Sequence, residues 1–199
     1  FPSVSLAASL ALAASFIAAP CARADETVRP IGYDATNGTA TFLGPLSNAQ
    51  RTYQLLIHAD QLTALAGRNI TGIAFRSTSG STTAWPTAEV EFASWELRLG
   101  PSVDPSARSL TDFSANVVGG SAALTLVRSG PLRIDALSYG INVPSPHPFG
   151  PTITLAPYAY SGGNLMIEIR HTGFSGTSRS VDAIGTSTAG YGTQFSACW

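Results

Sequence analysis

Between Gln50 and Phe195 the apolar residues recur at alternate positions in short runs, and most runs are closed by Gly, Pro or Ser. A helix buries positions three or four apart and a strand buries every second one, so this pattern commits the chain to β structure. Leu165, Ile167 and Ile169 alternate with Met166, Glu168 and Arg170, the cleanest half-buried strand. Tyr53, Leu55 and Ile57 form another. Further short strands are predicted at residues 39–43, 69–77, 181–184 and 191–195, and around the pairs Leu124/Leu126, Leu132/Ile134 and Ile153/Leu155. Val90 and Phe92 share one parity, whereas Trp95, Leu97 and Leu99 share the other. A strand cannot exchange its buried face without a bulge or bend, which places one near Ala93-Ser94. The single convincing helical stretch is residues 59–66, with Asp60 as its cap and Gly67 as its stop. The predicted fold is all-β: an antiparallel β-sandwich or jelly roll with one short helix near residues 59–66.

Charged residues make up 12% of the chain, against the ~25% usual in soluble proteins. All basic residues are arginine, and the formal net charge is −1 with no basic cluster. Nucleic acid and anionic membrane surfaces need a concentrated positive patch, so neither is an expected partner. The first residues point to export. Leu6 to Pro20 is apolar and alanine-rich, and Ala22-Arg23-Ala24 has the small-x-small form that signal peptidases cut. The run falls short of the ~18 residues that span a bilayer, so no membrane insertion is expected in the mature chain. The expected division is a signal peptide over 1–24 (its charged n-region preceding Phe1), a polar N-terminal segment over 25–48, and a β-sandwich domain over 49–199. Cys21 would leave with the signal, so the mature chain has no internal disulfide. A lipoprotein reading of Cys21 is disfavoured by Pro20 directly before it. Cys198 reads as a free thiol in a tail without a partner.

One ordered string of segments carries a resemblance. Ile70-Thr71-Gly72-Ile73-Ala74-Phe75-Arg76 is followed by Trp95-Glu96-Leu97-Arg98-Leu99, Leu110-Thr111-Asp112-Phe113-Ser114-Ala115-Asn116 and Leu126-Val127-Arg128-Ser129-Gly130-Pro131-Leu132. Then come His147-Pro148-Phe149, Asn164-Leu165-Met166-Ile167-Glu168-Ile169-Arg170 and Val181-Asp182-Ala183. Taken in order, these resemble an uncharacterised secreted bacterial β-sandwich domain often found in PEP-CTERM sorted proteins. The resemblance implies an exported module, in the extracellular space or cell envelope, and supplies no catalytic residues. The residues through Trp199 hold no Pro-Glu-Pro motif, apolar helix or terminal arginine cluster of the tailed members.

Candidate chemistry follows from residue type. Sugar-binding modules stack pyranose rings on aromatic faces and hold the hydroxyls with amides and carboxylates. Trp85, in the Ser/Thr-rich stretch before Pro86, and Tyr158 with Tyr160, on one strand face, are the candidate ligand-binding residues. Packing at the edge of the core is the ordinary alternative for all three. Trp95 is assigned to the core. No Gly-x-Ser-x-Gly elbow is present, and no catalytic residue is assigned. His58 and Asp60 are the nearest His/Asp neighbours, but Asp60 is already a cap. Glu89 and Glu91 share a strand side, where they hold a cation, flank a sugar or form a solvated face; the last is the expectation. His58, His147 and His171 are dispersed without metal-ligand spacing. Calcium is the one cofactor left open, with Asp135, Asn142, Asn164 and Asp182 as contributors. The expected role is a non-catalytic module for extracellular or envelope structure and interaction, with carbohydrate binding as its form. Its partners would be extracellular polysaccharide or envelope proteins. A glycan-active hydrolase using carboxylates is the alternative.

Overall fold

The structure is a computed structural model described over residues 26–199; the expected signal segment and Cys21 lie outside the described residues. The strands are β1 (Ala40–Phe42), β2 (Arg51–Ile57), β3 (Arg68–Ile73), β4 (Val90–Phe92), β5 (Trp95–Pro101), β6 (Thr125–Arg128), β7 (Leu132–Ile134), β8 (Ile153–Tyr160), β9 (Leu165–His171), β10 (Val181–Ala183) and β11 (Phe195–Cys198). The run predicted as a strand at 191–195 is a turn through residues 192–194, and β11 begins where that run ends. All ladders between them are antiparallel. A five-stranded sheet has the order β11-β2-β9-β5-β6, and β1-β10, β3-β8 and β4-β7 form two-stranded sheets. The all-β expectation holds. β1 comes from the polar N-terminal segment and pairs with β10, so that segment is built into the fold.

β9 sits at the centre of the large sheet. The alternation predicts a strand with one wet face, but both faces are covered: Ile169 on one side and Met166 and Glu168 on the other have no solvent exposure. The cover on the second face is the segment between β5 and β6. Its Val117 packs with Leu56 and Met166, with Val103 and Leu124 around them, and the Phe113 carbonyl accepts a hydrogen bond from Gln54.

The parity change before Trp95 is a corner. Phe92 ends β4, paired with Leu132 of β7, and Trp95 opens β5 in the large sheet. Between them Ser94 is tied to Thr172 by the Thr172 N–H at 3.1 Å from its carbonyl and by the Thr172 hydroxyl, which accepts from the Ser94 N–H at 3.2 Å. By changing sheets there, the chain buries Phe92 and Trp95 completely in one core. Around Phe92 the aromatic rings meet edge-on, Phe174 at 4.8 Å and His171 at 5.0 Å between centroids, an arrangement that adds to the burial of each ring.

Three further sequence expectations are corrected by the fold. Leu126 is 48% exposed and Val127 is the residue in the core, because a register shift opposite Leu97/Arg98 makes Val127 the extra residue of β6. The helix at Ala59–Leu65 is 3-10, as are the other short helices among the described residues, and its cap is His58: the imidazole Nδ1 accepts from the Asp60 N–H. Gly67, at φ +76°, follows its last residues in the left-handed region that glycine tolerates. Cys198 lies on β11, almost wholly buried.

Candidate binding groove

The loop between β3 and β4 and the loop between β9 and β10 are stitched together by two side chains. Trp85 is first fixed by a reciprocal backbone pair with Tyr139, at 3.1 and 2.8 Å, and by the Leu137 N–H donating to the Pro86 carbonyl. Its indole Nε1–H then crosses to the Thr177 carbonyl at 2.8 Å. From the other side Arg179 donates through Nη2 to the Thr83 carbonyl at 2.9 Å, while its backbone N–H is held by the Leu46 carbonyl. Between the loops lies a depression of about 460 Å³.

Five residues of its wall carry hydroxyls, Thr83, Thr87, Ser175, Thr177 and Ser178, beside one carboxylate, Glu89, one guanidinium, Arg179, and the apolar Ala84, Ala88 and Val90. Glu89 is half exposed and pairs with the more open Arg133 at 3.2 Å; Arg133 also reaches Glu91 at 3.3 Å. Such exposed pairs contribute little stability, about 0–1 kcal/mol, so Glu89 is free to trade partners. Ser178 is anchored by Asn48, whose N–H donates to its Oγ at 2.8 Å. Several hydroxyls beside one charge of each sign suit hydrogen bonding to a polyhydroxylated ligand.

The sequence-predicted aromatics do not form one platform. Trp85 contributes to the groove, but only 5% of it is exposed; its ring packs edge-on against Tyr139 at 5.4 Å and Phe174 at 5.8 Å. Tyr158 and Tyr160 share a face of β8, as their parity requires, and that face is the inner one. Tyr158 is half-buried against the core, and Tyr160 is buried with its hydroxyl donating to the Gly163 carbonyl. Burial raises both phenol pKa values. Their cross-strand partners are Ile70 and Arg68, and neither tyrosine lines the groove.

The other polar candidates have structural partners. Asp182 accepts from Arg76 at 2.7 Å and from the Gly38 N–H at 2.8 Å, and Asn164 accepts from the Ala59 N–H. His171 bridges the Gly44 carbonyl at 2.7 Å and the Gly173 N–H at 3.1 Å, and His147 accepts from the Asn142 N–H. Among the described residues no three His, Cys, Asp or Glu side chains converge as metal ligands.

A second polar cluster escapes sequence reading altogether. Glu168 of β9 is fully buried. It accepts from Gln54 Nε2 at 2.8 Å and lies 2.8 Å from Arg170 Nη2. Asn116 donates to Gln54 Oε1 at 2.9 Å and to the Cys198 sulfur at 3.3 Å. Burial pushes the Cys198 thiol up, away from the nucleophilic thiolate. Gln54, Asn116, Glu168 and Cys198 are buried while Arg170 reaches solvent, and the cluster ties the segment bearing Asn116 to β2, β9 and β11.

Nothing in the sequence pairs Glu89 with Arg179, since residues 90 positions apart in chain order carry no signal of their closeness. The one available signal was the shared Ser/Thr/Gly richness of the two loops. No helix among the described residues is long and apolar enough to cross a membrane. No protein-family model matches the chain, and no curated protein or solved structure matches it either.

Proposed function

We propose that this protein is an exported, non-catalytic β-sandwich module that binds carbohydrate outside the cell or in its envelope, at the groove between the Trp85 and Arg179 loops. The observation that carries this reading is the lining of the groove: five hydroxyls with a single carboxylate and a single guanidinium. Carboxylate glycosidases place two carboxyl groups across the scissile bond, about 5–9.5 Å apart, and Glu89 is the only acid in this lining. The small-x-small site at Ala22-Arg23-Ala24 and the segment order shared with secreted bacterial domains support export. N-terminal sequencing of the mature protein should then begin at Asp25.

The direct test is a glycan array probed with the protein, with Glu89→Gln and with Thr87→Trp, which fills the groove from an exposed position. Saturable binding weakened about tenfold or more by both variants is the expected result. No binding to any glycan, equal binding by all three proteins, or release of reducing sugar by the wild type would each contradict the proposal.

A further inference from the structure

The buried polar cluster on the second face of the large sheet brings a nucleophile, an acyl carbon and a carboxylate together, and the carbohydrate reading uses none of them. Cys198 of β11 and Gln54 of β2 are direct partners across the ladder. Both side chains are buried, and the Cys198 S–H donates to Gln54 Oε1 at 3.6 Å. The surroundings fix which way the Gln54 amide points. Its Nε2 meets two acceptors, the Phe113 carbonyl at 3.1 Å and Glu168 Oε2 at 2.8 Å, while Oε1 accepts from Asn116 Nδ2 at 2.9 Å and from the thiol. A flipped amide would turn its oxygen to those two acceptors and its nitrogen to Asn116 Nδ2, a donor. The carbonyl therefore faces the sulfur, and the nitrogen faces a carboxylate. Asn116 stands on the carbonyl oxygen as an oxyanion donor does, and it also donates to the sulfur at 3.3 Å.

We infer that Cys198 and Gln54 join as an internal thioester, with loss of one ammonia, which ties β11 covalently to β2. The sulfur attacks Gln54 Cδ as its proton passes to Oε1, where Asn116 stabilises the charge that develops. Collapse re-forms the C=O bond, breaks the Cδ–Nε2 bond and returns that proton to the nitrogen through Glu168. Thiol plus carboxamide become thioester plus ammonia, and no oxidant or co-reactant enters the balance. A thioester is richer in free energy than an amide. Escape of ammonia and the enforced contact offset that difference, since such contacts reach effective molarities of ~10⁵ M and above. Burial of Gln54, Asn116, Glu168 and Cys198 then shields the bond from hydrolysis. β11 is an edge of the five-stranded sheet and Cys198 is in no disulfide, so the thioester would be the covalent anchor of that edge.

The test is the intact mass of wild type, purified without amine buffers, beside Cys198→Ala and Glu168→Gln. Wild type is expected to lie one ammonia below the mass of its mature sequence, and Cys198→Ala at the full mass. Glu168→Gln should keep its ammonia, and equal loss in that variant overturns the proton route through Glu168. Unfolding wild type in methylamine should recover Gln54 as its N-methyl amide and Cys198 as a free thiol that iodoacetamide then takes. Native protection of Cys198 is common to the thiol and the thioester, so the mass and the Gln54 product decide between them. Wild type at full mass, with Gln54 unmodified after methylamine, overturns the inference. Ammonia loss that persists in Cys198→Ala overturns it too, because the loss then arises elsewhere in the chain.

Discussion

Glu168 has no solvent exposure, and its oxygens meet Gln54 and Arg170 within 2.8 Å. Removing a buried acceptor strands its donors, so Glu168→Ala should cost about 2–3 kcal/mol in urea unfolding, and an unchanged midpoint would show the cluster to be idle. His171 makes a second residue-scale test. Its ring is neutral in the fold, Nε2–H donating to Gly44 and Nδ1 accepting from Gly173, and burial holds its pKa below the ordinary 6.5. Below that ordinary value the unfolded chain takes up a proton that the folded ring refuses. The stability present above about pH 6.5 is therefore lost as pH falls toward the depressed folded value. His171→Gln should flatten the slope of melting temperature between about pH 7 and pH 5; an identical slope would remove His171 as its source. Cys198 should resist iodoacetamide in the native protein and react on unfolding, read at the peptide level by mass spectrometry. Trp95 was legible as core from parity alone. Cys198 was not, because its last-but-one position suggests a tail and nothing local shows that β11 pairs with β2.

At the scale of elements, period two located nearly every strand, and the parity switch at Ala93-Ser94 located the corner between β4 and β5. The sheet partners were not legible. Whether a strand has one wet face or none depends on what covers it, and β9 is covered by a segment more than forty residues away in sequence. The Leu126/Val127 inversion has the same origin, since a bulge is a property of the pair β5-β6 and not of either strand. Val127→Ala should cost about 1.5–2 kcal/mol for the buried carbons it deletes, while Leu126→Ser should stay within about 0.5 kcal/mol. The reverse order in denaturant midpoints would mean the register is wrong.

For the whole molecule, topology makes the candidate site. Two loops of ordinary Ser/Thr/Gly composition become a groove because Tyr139 fixes Trp85, Leu46 fixes Arg179, and each reaches the opposite loop. Trp85 thus stands in the wall of the candidate groove as a post between its two loops rather than as an open stacking face. Sequence reading could name Trp85 but not that role, which depends on the Thr177 carbonyl. The most direct measurement is a ¹H–¹⁵N correlation spectrum of the protein titrated with the best glycan from the array. Shifts concentrated at residues 83–90 and 175–180, saturating with ligand, are the expected result. Saturable shifts confined to any other surface, or none with every glycan tried, would contradict the assignment of this groove as a carbohydrate site.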